Sequence, residues 1–172
     1  MSRLPEITER NKDNQEAYDY LMKTRGAVRS GFAVMLASPD IDQRIAHVGS
    51  YVRFDSSLPP NIRELAAVTA SSELENPAEY VSHARQCREL HISEAVVAAC
   101  LERAPVSGAS EDEMLAINVA RQLTRDHKLS DATFEAARKR LGDRGFIDLV
   151  ATIGYFAMLA VCHVALDIKP RT

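Results

Sequence analysis

The chain has 172 residues, 46% of them hydrophobic and 26% charged, with a formal net charge of −3. A chain of this length buries roughly 70% of its extended surface, so a single domain needs neither disulfide nor metal to hold together. Lysines and arginines are scattered, which argues against a nucleic-acid surface, and the opening MSRLPEITERNKDNQE lacks the apolar stretch of a secretory signal.

Helical periodicity runs through the chain, and no segment sustains the period-two alternation of a strand. The expected fold class is all-α, with about eight helices. After a polar lead-in, a helix from Asp13 to Arg29 carries Ala17, Tyr18, Leu21 and Met22, with Gly26 and Gly31 weakening its end. Pro39 stands at the first position of a second helix that runs to about Phe54. Leu58-Pro59-Pro60 breaks it, and a third helix spans about Asn61 to Glu73. A fourth opens at Asn76-Pro77 and ends near Leu90. Ser93 is expected to cap a short helix ending near Glu102. After the loop from Pro105 to Ser110, Ser110 and Glu113 make a capping box for a helix to about Asp126. Ser130 caps another, to about Arg140. Gly142 and Gly145 precede the last helix, Phe146 to Val164.

The long apolar stretch from Phe146 to Ile168 contains Asp148, His163 and Asp167, so it reads as a core helix rather than a membrane span. Three cysteines, Cys87, Cys100 and Cys162, are far apart, and no C-x-x-C occurs. That points to a reducing cytoplasm in which cysteines serve as small hydrophobes.

The most informative pair is Glu79 and His83, four residues apart on one helix face that Cys87 and Leu90 continue. An acid and an imidazole are costly to bury unless they pair with each other or with a ligand. A second reading stands beside this one. Asn76-Pro77-Ala78-Glu79 is a capping box, with Glu79 reaching back to the Asn76 backbone. Likewise His83 can be a satisfied core histidine, and Glu64 a salt-bridged neighbour of Arg63. In composition, Glu64, Glu79 and His83 are also a set of carboxylates and imidazole of the kind that binds metals. Di-metal bundles use Glu-x-x-His twice, whereas this chain offers one Glu-x-x-x-His, so no metal is expected. His47, His91 and His127 have no partner pattern; His163 is either a core residue or a distant pocket wall.

Leu58-Pro59-Pro60-Asn61-Ile62-Arg63-Glu64-Leu65-Ala66 and Glu79-Tyr80-Val81-Ser82-His83 resemble motifs of the carboxymuconolactone decarboxylase and alkylhydroperoxidase D family. Leu129 to Phe134 and Leu149 to Phe156 resemble its later helices. The resemblance runs from about Ser38 to Ile168. It implies one AhpD-like domain over residues 1–172, in which residues 1–37 extend the family core. It also implies self-association into trimers or hexamers, with sites near subunit contacts. Laying the peroxidase branch of the family on this chain puts its glutamate on Glu64 and its histidine on His83. Its two cysteines fall on Asn76 and Glu79, so the peroxide-reducing cycle has no nucleophile here. The decarboxylase branch, which works without cofactor, looks like the closer relative.

The activity this implies is cofactor-free decarboxylation of a small carboxylated lactone or related enolisable acid. In that role His83 donates the proton, and Glu79 or Glu64 orients its ring. Arg53 or Arg85, by position alone, grips a substrate carboxylate. Tyr80, at the family's Trp position, and Asn76, at the helix start, complete the expected substrate contacts. Expected partners are a small molecule and further copies of the chain, with no nucleic acid and no membrane. The alternative is a non-catalytic oligomeric binding or scaffold protein that keeps the fold. Convergence of Glu64, Glu79 and His83 on a pocket separates the two.

Overall fold

The computed structural model describes residues 2–170. It has eight α-helices and, among the described residues, no strand. In chain order these are α1 (Gln15–Arg25), α2 (Gly31–Met35), α3 (Pro39–Ser50), α4 (Pro60–Glu73), α5 (Pro77–Glu89), α6 (Glu94–Leu101), α7 (Glu111–Arg121) and α8 (Asp131–Leu166). Helices α3 and α7 each end in a π-helical turn, Tyr51–Asp55 and Gln122–Asp126.

Local chemistry explains most of the starts. Pro39, Pro60 and Pro77 occupy the first helical turn of α3, α4 and α5, where a missing N–H costs nothing. The capping box of α7 forms, with the Ser110 hydroxyl accepting from the Glu113 N–H and the Glu113 carboxylate accepting from the Ser110 N–H. The Ser130 hydroxyl likewise accepts from the Thr133 N–H. Ser93 differs from expectation: its side chain makes no capping bond, and its carbonyl alone starts α6. The first helix is shorter than its periodicity predicts, because Gly26 turns left-handed at φ 71 and closes it on Met22. The short α2 that follows is unanticipated. The last two expected helices form one element, interrupted by non-helical backbone at Gly142 (φ 69, ψ 173).

Helix α4 is central, packing against α5, α6, α7 and α8. Its run Leu65 to Ser72 is buried throughout, and its small residues let neighbouring helices approach closely. One apolar cluster joins Ile62, Ala66 and Ala70 of α4 to Val119 of α7 and Leu149, Phe156 and Leu159 of α8. A second gathers Leu65, Val68, Cys87, Val97 and Ile117 between α4, α5, α6 and α7. A third seats α1 on α3 through Ala17, Leu21 and Ala46. Two buried carboxylates act as fasteners. Glu73 receives Arg121 and Arg125 from the α7 region. Asp148 accepts from the Ser57 N–H at 2.7 Å, the Ser57 hydroxyl at 2.6 Å and the Tyr51 hydroxyl at 2.9 Å, which fixes the turn leading into α4.

By length and composition α8 is apolar enough to cross a membrane. One face of it is nevertheless core, through Leu149, Ile153, Phe156 and Leu159. Its other face leaves Ile147, Met158, Val161 and Val164 exposed.

Candidate functional site

Packing of α4 against α5 brings Glu64 to His83. The carboxylate Oε2 lies 2.6 Å from the imidazole Nδ1, and both side chains are almost wholly buried. The Arg63 Nε donates to the other Glu64 oxygen at 3.2 Å. On the opposite side of the ring, His83 Nε2 lies 3.6 Å from Glu79 Oε2, one turn earlier on α5. The Phe156 ring meets the imidazole edge-on at 4.5 Å between centroids. Burial disfavours the imidazolium, but the hydrogen bond to Glu64 and the nearby Glu79 carboxylate outweigh it and hold His83 above its ordinary pKa. Burial also opposes ionisation of Glu64, yet the His83 bond and Arg63 keep its carboxyl below the usual carboxylate range. Both shifts favour the charged form of the pair.

The α5 capping box does not form. Asn76 makes no side-chain cap, and its side-chain Oδ1 instead faces His163 Nδ1 at 3.3 Å. Glu79 Oε1 lies 3.8 Å from that same nitrogen. Glu79 thus sits between two imidazoles whose pKa values are driven apart, because burial lowers that of His163. Gly31 is required beside this ring, since a Cβ there would lie 2.2 Å from His163 Nε2. Sequence reasoning left His163 open as core or pocket wall; a histidine on an otherwise apolar helix was the available signal.

Glu79 opens onto a cavity of about 720 Å³, within the range of small-molecule sites. Ala78, Val81, Ser82 and Arg85 line it from one face of α5, at the spacing of a single helix face. Five arginines, Arg25, Arg29, Arg53, Arg85 and Arg88, surround Glu79 as its only lining carboxylate among the described residues. Arg85 lies 3.6 Å from Glu89 and Arg88 lies 2.7 Å from Glu94. Arg29 and Arg53 have no ion-pair partner among the described residues. Such a wall favours an anionic guest.

Arg53 and Arg85 thus reach the cavity as expected. Tyr80 and Asn76 do not. Tyr80 packs against the cluster of Leu65, Ala84 and Cys87, because neighbours on a helix point about 100° apart and Glu79 holds the cavity side. Asn76 is buried and positions His163. Leu90, expected to continue the inward face, is exposed. Glu64 and His83 stand one layer behind Glu79. Sequence reasoning missed Arg25 and Tyr155, which line the same cavity from α1 and α8.

The cysteines lie apart from this chemistry. Burial pushes the Cys87 thiol up to about 12, and burial raises Cys100 and Cys162 as well, which leaves little thiolate at neutral pH. Among the described residues no cluster of three His, Cys, Asp or Glu side chains is disposed to hold a metal ion.

Residues 39–122 match the sequence model of the carboxymuconolactone decarboxylase family. The match takes in 84 of the 172 residues, just under half of the chain. The match covers α3 to α7 and so includes Glu64, Glu79 and His83, while Tyr155 and His163 lie beyond it. No curated protein matches the chain. Among solved structures, an uncharacterized peroxidase-related protein with an alkylhydroperoxidase AhpD core from Ralstonia eutropha JMP134 superposes with a TM-score of 0.76. It is 18% identical, with 99% of this chain and 92% of that one covered. An uncharacterized peroxidase-related protein from Silicibacter sp. TM1040 gives a TM-score of 0.72 at 19% identity, covering 100% and 96%. The debrominase Bmp8 gives 0.70 at 14% identity, covering 96% and 91%. The fold of this chain is accordingly AhpD-like.

Proposed function

We propose that the protein is a cofactor-free carboxy-lyase acting on a small carboxylated lactone or related enolisable acid. The observation that carries this reading is the position of Glu79. It lines an arginine-walled cavity and has, 3.6 Å behind it, a buried His83 whose other nitrogen is held by Glu64. In carboxymuconolactone the departing carboxylate is vinylogous to a lactone carbonyl. Its electron pair flows toward the carbonyl oxygen as carbon dioxide leaves, and a proton must then be returned to carbon. His83 is the proton reservoir, Glu79 passes the proton into the cavity, and Glu64 keeps the imidazole charged. Arg53 and Arg85 hold the substrate carboxylate. In this reading His83, which is buried and does not line the cavity, acts through Glu79 rather than on the substrate directly.

Glu79→Gln tests the assignment. Glutamine fits the same space but carries no proton between ring and substrate. Thermal melting should be unchanged, while carbon dioxide release from carboxymuconolactone falls by about 10²-fold or more. Undiminished release would sink the role given to Glu79.

We further infer that the protein assembles from several copies. Ile147, Val161 and Val164 are 63%, 70% and 61% exposed. With Ala151, Gly154, Met158 and Ala165, most of them continue one stripe along α8 at helical spacing. The Gly154 position has nothing within 4 Å of where a Cβ would sit, so a second helix can approach closely. An apolar stripe of this length on a soluble chain calls for a partner. Light scattering should give at least three times the 19.0 kDa chain mass; a clean monomer at micromolar concentration contradicts this.

A further inference from the structure

Another part of the cavity wall carries chemistry that proton delivery does not use. Tyr155 of α8 and Arg25 at the end of α1 both line the cavity with Glu79. They meet over Gly49 of α3, where an added Cβ would lie 2.2 Å from the Tyr155 hydroxyl and 3.0 Å from Arg25 Nη2. The glycine therefore makes room for this pairing. Arg25 is held firmly. Its Nη1 donates to Thr24 Oγ1 at 2.8 Å, its Nη2 donates to the Ala46 carbonyl at 3.0 Å, and its guanidinium stacks 4.5 Å above the Phe32 ring. Burial, with the nearby Glu79 charge, pushes the Tyr155 hydroxyl up to about 12 against the pull of Arg25. The phenol therefore keeps its proton and remains a donor.

We propose that the Tyr155 hydroxyl and the Arg25 guanidinium form an oxyanion subsite for the carbonyl oxygen of an enolisable substrate. The inference rests on the proton-transfer reading above and supplies the half of the reaction that reading lacks. As the bond to the leaving carboxylate breaks, its electron pair moves through the conjugated carbons onto the carbonyl oxygen. A fixed donor and a fixed cation stabilise that developing charge at no cost in reorganisation. The pair returns to carbon when the proton arrives from the Glu79 side, and carbon dioxide departs, so no oxidant or reductant is consumed. The substrate class this selects is a planar conjugated carbonyl compound bearing a carboxylate. The N-terminal segment, through Arg25, belongs to the site that reads it.

The test uses 4-nitrophenol, whose phenolate is a coloured, planar mimic of an enolate. Bound to the wild-type protein it should ionise about one pH unit or more below its value in water, as expected beside a cation and a donor. Tyr155→Phe should weaken phenolate binding about tenfold while leaving neutral phenol unaffected. Arg25→Met should remove most of the remaining shift and Arg25→Lys should restore part of it. His83→Gln, which disables proton delivery, should leave the shift in place. Absent binding, equal affinity for phenol and phenolate, or a full shift in Tyr155→Phe overturns the subsite. A phenolate preference without any decarboxylation supports the subsite and overturns the reaction proposed for it. Loss of turnover in Glu79→Gln with no phenolate preference overturns the subsite alone.

Discussion

Replacing His83 by glutamine should reduce turnover of carboxymuconolactone by about 10²- to 10⁴-fold, the usual contribution of a general acid. Glutamine can still meet Glu64 across the buried contact, so the fold should survive, but it cannot hold a transferable proton. The pH dependence has a definite sign. His83 must be protonated to act, and Glu64 and Glu79 raise its pKa. Activity should therefore persist above about pH 6.5, the ordinary value for histidine, and decline as pH rises through the raised one. Glu64→Gln removes the main counter-charge and leaves only Glu79 to oppose burial. The alkaline limb should then move to lower pH. A limb that stays in place in Glu64→Gln would mean that His83 is not the titrating group.

Asp42→Asn should make the protein more stable at pH 8, by up to about 4 kcal/mol, and indistinguishable from wild type near pH 4. Asp42 is fully buried on α3, and neither carboxyl oxygen has a hydrogen-bond partner. Burial pushes its carboxyl up to about 7, with Arg25 pulling the other way. The unfolded chain ionises the same group near about 3.9. An acid raised on folding leaves stability intact below its unfolded value, and that stability is lost as pH climbs through the folded one. At about 1.4 kcal/mol for each unit of difference, the penalty is nearly complete by pH 8. Asparagine carries no charge to bury. Urea titrations at pH 4 and pH 8 measure the difference directly; equal stability gaps at both values would contradict it.

Helix starts were legible wherever a single residue does a local job. Pro39, Pro60 and Pro77 at first turns, and Ser110 and Ser130 at caps, have meanings that tertiary context rarely overrides. The pairing of Glu79 with His83 was legible for the same reason, since i to i+4 spacing is a property of one helix. Asn76 shows where local reading stops. Its position suited a capping box, but burial beside His163 offered its oxygen another partner. Tyr80 was assigned to the site because it stands at the family's Trp position, although the helix turns it into the core. The short α2 carries too few residues for any period to show. Arg25 comes from α1 and Tyr155 from α8, and only the packing of helices brings them to the cavity, as it brings His163 to Asn76 and Glu79. A glycine facing a side chain, as at Gly31 and Gly49, marks such a meeting but cannot name the partner from sequence.

The central claim is that Glu79, backed by the His83–Glu64 pair, returns a solvent-derived proton to carbon after decarboxylation. Carboxymuconolactone incubated with the protein in D₂O tests this most directly, with the product analysed by NMR. Carbon dioxide should be released and one deuterium should appear at the protonated carbon. Both should fall together in Glu79→Gln and His83→Gln. Intact substrate after prolonged incubation with wild-type protein, or labelled product formed equally well by both variants, would contradict it.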